Sequence, residues 1–250
     1  MHVTETCDDE QPHLLTDIQT TPSTTADCTM TATIQAQLAA RDLVPGEHIV
    51  DMGYVSAEQL VTSHEQGIDL VGPVTEDHSW QARANEGFGA AQFVIDWEAE
   101  QARCPQGKTS LIWKPTKDRT GHDVINIRFA YEDCRDCVVR GQCVKSKRER
   151  ALSIRRKAEF EALQEARKRQ RTEVFREQYA VRAGVEGTIS QGTRISDMRR
   201  SRYVGEAKTR LLQLLIGAAL NFMRVAAWLA DVPHAQTRQS AFSRLVGARI

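Results

Sequence analysis

Positive charge is almost absent from the first part of this chain: residues 1–100 carry only Arg41 and Arg83 against 18 acidic side chains. A surface for a polyanionic partner must therefore come from the remainder, because phosphate contacts are made mainly by Lys and Arg. An uninterrupted apolar run is also missing. The most apolar segment, 211–230, is broken by Gln213, Asn221 and Arg224, short of the roughly 18 consecutive apolar residues that mark a membrane span. It reads as a buried core helix, and no membrane partner is expected. Residues 1–10 are polar and acidic where a secretory signal is basic and then apolar, which points to a cytoplasmic protein. The histidines at 2, 13, 48, 64, 78, 122 and 234 form no H-E-x-x-H or H-x-x-E-H pattern, which excludes a metallohydrolase of that type.

The missing positive charge returns between Lys145 and Arg210, where 19 Lys and Arg face 9 Asp and Glu. Such a density is the footprint of a phosphate-backbone partner, or else a solvated face of a charged helix. With 250 residues and a globular composition, the chain can bury one sizeable core, or a core with a small inserted module.

Patterning predicts two short strands, 2–5 and 14–20, around a polar turn at Cys7–Pro12. A helix follows over 29–41, with Thr24, Thr25 and Asp27 as candidate caps. Next come a strand over 47–51, a helix capped by Ser56 and running to 65, and a strand over 68–74. The order β-β-α-β-α-β implies an α/β sheet with helices packed on it. Residues 79–147 change character to short strands (92–98, 110–115, 124–131) and turns, as in a β-rich insertion. Beyond Ser153 an apolar stripe through Phe160, Leu163, Ala166, Val174 and Phe175 marks a long charged helix. The predicted division is 1–78, first part of the core; 79–147, insertion; 148–230, helical second part; and 231–250, a polar basic tail.

Four of the six cysteines, Cys104, Cys134, Cys137 and Cys143, follow C-x29-C-x2-C-x5-C. Two thiolates from a C-x2-C turn can occupy adjacent vertices of a zinc tetrahedron. Structural Zn2+ and free or buried thiols both remain open, whereas disulfides suit a cytoplasmic protein less well. Cys7 and Cys28 have no partner spacing.

Tyr179, Arg182 and Glu186 stand at offsets of three and four, which places them on one helix face. Far upstream, the apolar strand His48-Ile49-Val50 closes on Asp51. Two such carboxylates can share a metal ion, pointing to phosphoryl transfer on a nucleic acid. Each residue also has a plain structural use: Asp51 as a strand-end turn, Arg182 as a salt bridge orienting Glu186, Tyr179 as packing at a core edge, and the Arg199–Tyr203 run as a solvated loop.

In combination these residues resemble the C-terminal portion of the DDE-type bacterial insertion-sequence transposases. The resemblance rests on His48-Ile49-Val50-Asp51-Met52-Gly53-Tyr54, the Cys104 to Cys143 insertion, the stretch from Tyr179 to Gly187, and Arg199-Arg200-Ser201-Arg202-Tyr203 leading to Lys208. It implies an α/β fold, a ribonuclease-H-like mixed sheet with flanking helices interrupted by the small β-rich insertion. It also implies cleavage and strand transfer of DNA with Mg2+ or Mn2+, Asp51 and Glu186 being the second and third of three catalytic acids. Tyr179, Arg182, Arg194, Arg199, Arg200, Arg202 and Lys208 are the implied DNA contacts. Arg194 stands one position beyond the place, here Thr193, where some relatives carry a basic residue. The implied partners are insertion-sequence ends and target DNA, with homo-oligomerisation in the active complex. The resemblance places the first acid on a strand ahead of His2, so the chain is expected to be a truncated or internally initiated product, or one with a misassigned start, with little or no transposition activity alone. The alternative is a non-catalytic DNA-binding or zinc-knuckle remnant.

Overall fold

The computed structural model describes residues 1–233 apart from Asp9 and Asn85. The chain forms two compact units, one of residues 1–45 with 177 onward and the other of residues 46–176. Both mix helices with small sheets, so the α/β character expected from the element order is present.

In the first unit, strands β1 (His2–Glu5) and β2 (Leu15–Gln19) pair antiparallel, Val3 opposite Ile18, with a register shift between Thr4 and Glu5. Helix α1 (Asp27–Ala39) buries Met30, Ile34 and Leu38, the four-residue period of an apolar stripe. It starts two residues earlier than predicted. Its cap position is Ala26, with no side-chain bond, so neither candidate Thr caps it. The long helix α9 (Glu206–Leu229) lies on β2. Leu15, Ile18, Met198, Ile216 and Leu220 form the core between them. Gly217 permits that approach, since a Cβ there would stand 2.3 Å from Ile18 Cδ1. Asn221 acts as a substitute strand partner. Its side chain accepts from the Leu15 N–H at 2.8 Å and donates to the Leu15 carbonyl at 2.9 Å.

The expectation that 211–230 is a buried core helix needs correction. Gln213, Ile216, Gly217 and Leu220 are buried, but Leu215 and Phe222 are 60% and 78% exposed. Apolar residues occupy most of the circumference, whereas β2 covers only one side. Among the described residues, α9 alone is long and apolar enough to cross a membrane, with mean hydropathy 1.5. Its Arg224 is bonded inward to Glu5.

In the second unit, β3 (Glu47–Ile49) and β4 (Asp69–Val71) pair in parallel across α2 (Ala57–Glu65). The Ser56 hydroxyl accepts from the Gln59 N–H at 3.1 Å, the predicted cap. Strands β3 and β4 form a two-stranded sheet within this unit, as β1 and β2 do within theirs. A short helix α3 (Trp80–Ala84) leads into the hairpin of β5 (Val94–Asp96) and β6 (Gln101–Arg103). Strands β7 (Ile112–Lys117), β8 (Asp123–Arg128) and β9 (Ala151–Arg155) form an antiparallel sheet with β8 central. The two short helices α4 (Tyr131–Arg135) and α5 (Arg140–Cys143) fill the connection from β8 to β9. Phe93, Ala102, Ile125, Ile127, Phe129, Leu152 and Ile154 make the core, with Trp97 edge-on to both Trp113 and Phe160.

Strand β9 lies where the pattern was already read as approaching helix, and its Leu152 and Ile154 complete the buried face begun by β8. The single long charged helix is also corrected. It is divided into α6 (Lys157–Arg169) and α7 (Glu173–Ala180), and α8 (Ala183–Ser196) follows. The division falls where Thr172 turns its hydroxyl to the Arg169 carbonyl and takes up the Phe175 N–H, a side chain competing with the helical ladder. From residue 234 on, the predicted tail lies outside the described residues.

Candidate functional site

Asp51 stands at the carboxyl end of a parallel strand pair. The Val50 N–H still donates to the Val71 carbonyl at 2.8 Å, and then the chain leaves the sheet through a 3-10 turn over Met52–Tyr54, closed by the Tyr54 N–H on the Asp51 carbonyl. In open α/β arrangements this end of the strands is where ligands bind. The space beside it is kept tight by Gly72, where a Cβ would come within 2.6 Å of the Val50 carbonyl. Asp51 itself is half-buried beside the exposed Met52. Three residues earlier His48 is buried, and burial pushes its pKa down to about 4. It is therefore neutral near pH 7, a feature that the sequence did not signal.

Glu186 lies in the first turn of α8, where a carboxylate is favoured by the helix dipole. Its side chain is 66% exposed, and Arg182 Nη1 stands 2.8 Å from its Oε1. The expected single helix face is corrected in one respect. Tyr179 ends α7, Glu186 begins α8, and Arg182 sits in the step between them. The step keeps near-helical geometry, with the Arg182 N–H donating to the Tyr179 carbonyl and the Val185 N–H to the Arg182 carbonyl. The arginine-carboxylate pairing therefore survives the break.

What holds α8 in place was not legible from motifs. Thr188, two residues beyond Glu186, is buried and donates to the Glu5 carboxylate. Arg224 from α9 joins the same carboxylate at 2.9 Å and also donates to the Thr188 hydroxyl and to the His13 carbonyl. Side-chain exposure is 7% for Glu5 and 16% for Arg224. This buried network fixes the helix that displays Glu186 outward.

Arg194 lies in the last turn of α8, and Arg199, Arg200 and Arg202 follow in the loop to α9, where Lys208 sits in the first turn. All five are exposed, and among the described residues none forms an ion pair. Met198, 2% exposed and packed against Gly192, anchors the loop beneath them. Tyr203 is 53% exposed in the same stretch.

Cys104, Cys134, Cys137 and Cys143 line one cavity of about 500 Å3 in the second unit, all of them half-buried and free of disulfides. Burial pushes the Cys143 thiol up. Arg150 works against this, while the sulfurs of Cys134, Cys104 and Cys137 add to it. Cys7 is exposed. As the side chains stand, no group of three or more His, Cys, Asp or Glu among the described residues is arranged to hold a metal ion.

The structure thus brings together Tyr179, Arg182 and Glu186, the basic loop, and the four cysteines, each within one unit. Asp51 belongs to residues 46–176 and Glu186 to the other unit. Both offer hard oxygen donors reachable from solvent, the donor chemistry that Mg2+ or Mn2+ takes. Residues 103–226 match the family described as transposase DDE domain. That span holds all four cysteines, Tyr179, Arg182, Glu186 and the basic loop, and Asp51 precedes it. No curated protein and no solved structure matches the chain.

Proposed function

We propose, from the match of residues 103–226 to the family described as transposase DDE domain, that this chain acts on DNA as a DDE-type transposase, by phosphodiester cleavage and strand transfer, with Asp51 and Glu186 as two of its metal-holding acids. The observation that carries the reading is Glu186. An outward carboxylate, on a helix pinned by a buried network and inside the matched span, supports a role toward a ligand over one in the core. Its counterpart Asp51 has the strand-end setting that suits the same task. We read the element order β1-β2-α1-β3-α2-β4 as that of a ribonuclease-H-like core.

Bound divalent ions would supply charge stabilisation of the attacking and leaving oxygens of an in-line displacement. The residues of the chain bind and orient. Arg182 holds Glu186 in the free protein, and a backbone phosphate competes for the same guanidinium when DNA arrives, because its fork donates two parallel hydrogen bonds to phosphate oxygens. Arg194, Arg199, Arg200, Arg202 and Lys208 supply backbone contacts that position DNA without reading its sequence. Tyr179 adds a ring for stacking. The cytoplasm is the corresponding compartment, and a homo-oligomer the corresponding active form.

The test pairs metal binding with DNA binding. Mn2+ titrations followed by electron paramagnetic resonance should show at least tenfold weaker binding in Asp51→Ala and in Glu186→Gln, with DNA affinity retained. Mg2+-dependent nicking that disappears in Asp51→Ala would establish catalysis directly. DNA binding with a steep salt dependence, but unaltered Mn2+ binding in both variants, would leave the non-catalytic reading in possession.

A further inference from the structure

The connection from β8 to β9 is only weakly held by burial, through the half-buried Cys134 and Cys143 that pack against the core. No residue from 130 to 150 is buried, and α4 and α5 are helices of five and four residues with no buried side chain. Helices of that length are far below what persists in water unaided. Polar ties exist. Arg140 donates to the carbonyls of Cys134, Ser146 and Arg148, and Arg150 to those of Cys143 and Phe88. The groups common to the whole arrangement are the four thiols around the 500 Å3 cavity.

Each thiol is offered by a tight local structure. Cys104 opens a turn in which the Gly107 N–H donates to its carbonyl and its own N–H donates to the Lys108 carbonyl; Gly107 has φ +79°. Cys134 sits in α4 and Cys137 just after it, with the Arg140 N–H on the Cys137 carbonyl. The Cys134 sulfur accepts the Arg150 N–H at 3.4 Å, the outer support that metal thiolates commonly have. Cys143 ends α5. Lys108, Arg140 and Arg150 also line the cavity and would offset the two negative charges of a tetrathiolate zinc centre. Lys108 is shared with Asp133 at 2.9 Å.

We propose that Cys104, Cys134, Cys137 and Cys143 form a structural zinc site that staples the turn following β6 to the α4-α5 segment. Closure needs side-chain rotation, because the sulfurs line the cavity without converging on a common point. One staggered step about χ1 moves a cysteine sulfur by roughly 3 Å. The balance is simple: Zn2+ displaces four thiol protons and gains four sulfur bonds, with no oxidant or reductant. A structural site of this kind is closed and contributes to folding.

The experiment uses the full chain purified without chelator and analysed for metals. About one equivalent of zinc is expected, falling below a tenth of an equivalent in Cys134→Ser and in Cys137→Ser but unchanged in Cys7→Ser. Where a variant fails to fold, the unaltered chain still decides. Native protein should hide four thiols from a thiol reagent until a chelator releases them together with the zinc, and Co2+ exchange should give the thiolate charge-transfer spectrum of a tetrahedral site. Protein free of zinc with all thiols reactive, iron with labile sulfide, or a disulfide between any two of the four would each overturn the proposal.

Discussion

Helix α8 and the segment 130–150 both present functional groups at a surface, yet they are secured in opposite ways. Thr188 ties α8 into a buried cluster with Glu5 and Arg224, and the helix gains hydrophobic support through Met198 and Leu220 at Gly192. Nothing from 130 to 150 is buried. Its order rests on backbone-directed arginines and on thiols that are half-exposed to solvent. A platform of the first kind depends on the fold as a whole, so damage to it should be global. One of the second kind depends on a few polar groups, and its damage should be local.

The largest effect is expected where a charge is buried in that network. Replacing Arg224 by Met removes the cationic partner of Glu5 and leaves its carboxylate, at 7% exposure, with the Thr188 hydroxyl but no opposite charge. Breaking a buried pair in this way costs about 3–5 kcal/mol, to be read as a fall in the midpoint of urea unfolding. The double variant Glu5→Leu with Arg224→Met should recover much of the loss, since an apolar replacement of both partners removes the stranded charge. A single variant as stable as the original chain would show that α8 is held by its apolar contacts alone.

His48 supplies a comparable test in the other unit. Its pKa lies at about 4 in the folded chain because burial disfavours the charged ring, against about 6.5 in an unfolded one. The unfolded state therefore binds more protons between those values, so stability is full above pH 6.5 and declines as the pH falls toward 4. The difference corresponds to roughly 3 kcal/mol. Unfolding measured at pH 7.5 and 4.5 should show a smaller pH dependence in His48→Gln than in the unaltered chain, since carboxylates contribute to both equally. An identical dependence in the two proteins would mean that His48 titrates normally.

A middle-sized effect tests how far one side chain can replace a strand. Asn221→Leu keeps the number and branching of the side-chain heavy atoms, but the Leu15 N–H and carbonyl lose the amide that bonds them both. A cost of about 1–3 kcal/mol is expected, together with faster amide exchange at Leu15. Unchanged exchange there would assign the hold of α9 on β2 to the Ile18, Ile216 and Leu220 contacts.

Local patterning made the short elements legible. The alternation at 2–5 and 14–20, the Ser56 cap and the apolar strand ending on Asp51 depend on neighbours in sequence, and the structure has them within a few residues. The pairing of those strands was not legible. Whether β2 and β3 share a sheet depends on contacts across the chain, and no periodicity encodes that. Strand β9 was missed for a related reason: the stretch beyond Ser153 read as helix from its apolar stripe, whereas pairing with β8 decides the conformation of Leu152 and Ile154. At the site, the offsets of Tyr179, Arg182 and Glu186 disclosed a real pair, 2.8 Å between Arg182 and Glu186. The network behind it joins residues 5, 188 and 224, separations that leave no local motif.

The smallest stability effect should come from the residue proposed to hold metal. Glu186→Gln removes a charge that is 66% exposed and paired with Arg182 in the step into α8, an i,i+4 contact worth a few tenths of a kcal/mol at most. The unfolding midpoint should hardly move, while Mn2+ affinity falls at least tenfold. The Glu186 carboxylate then no longer competes with phosphate for Arg182, so the same variant should bind DNA as tightly as the original chain or more so. That triple outcome separates Glu186 from Glu5, a carboxylate that also bonds an arginine but is needed by the fold. If Glu186→Gln instead destabilised the protein as Arg224→Met is expected to, the outward carboxylate would be part of the scaffold, and the contrast between a platform and what it displays would fail at its most important residue.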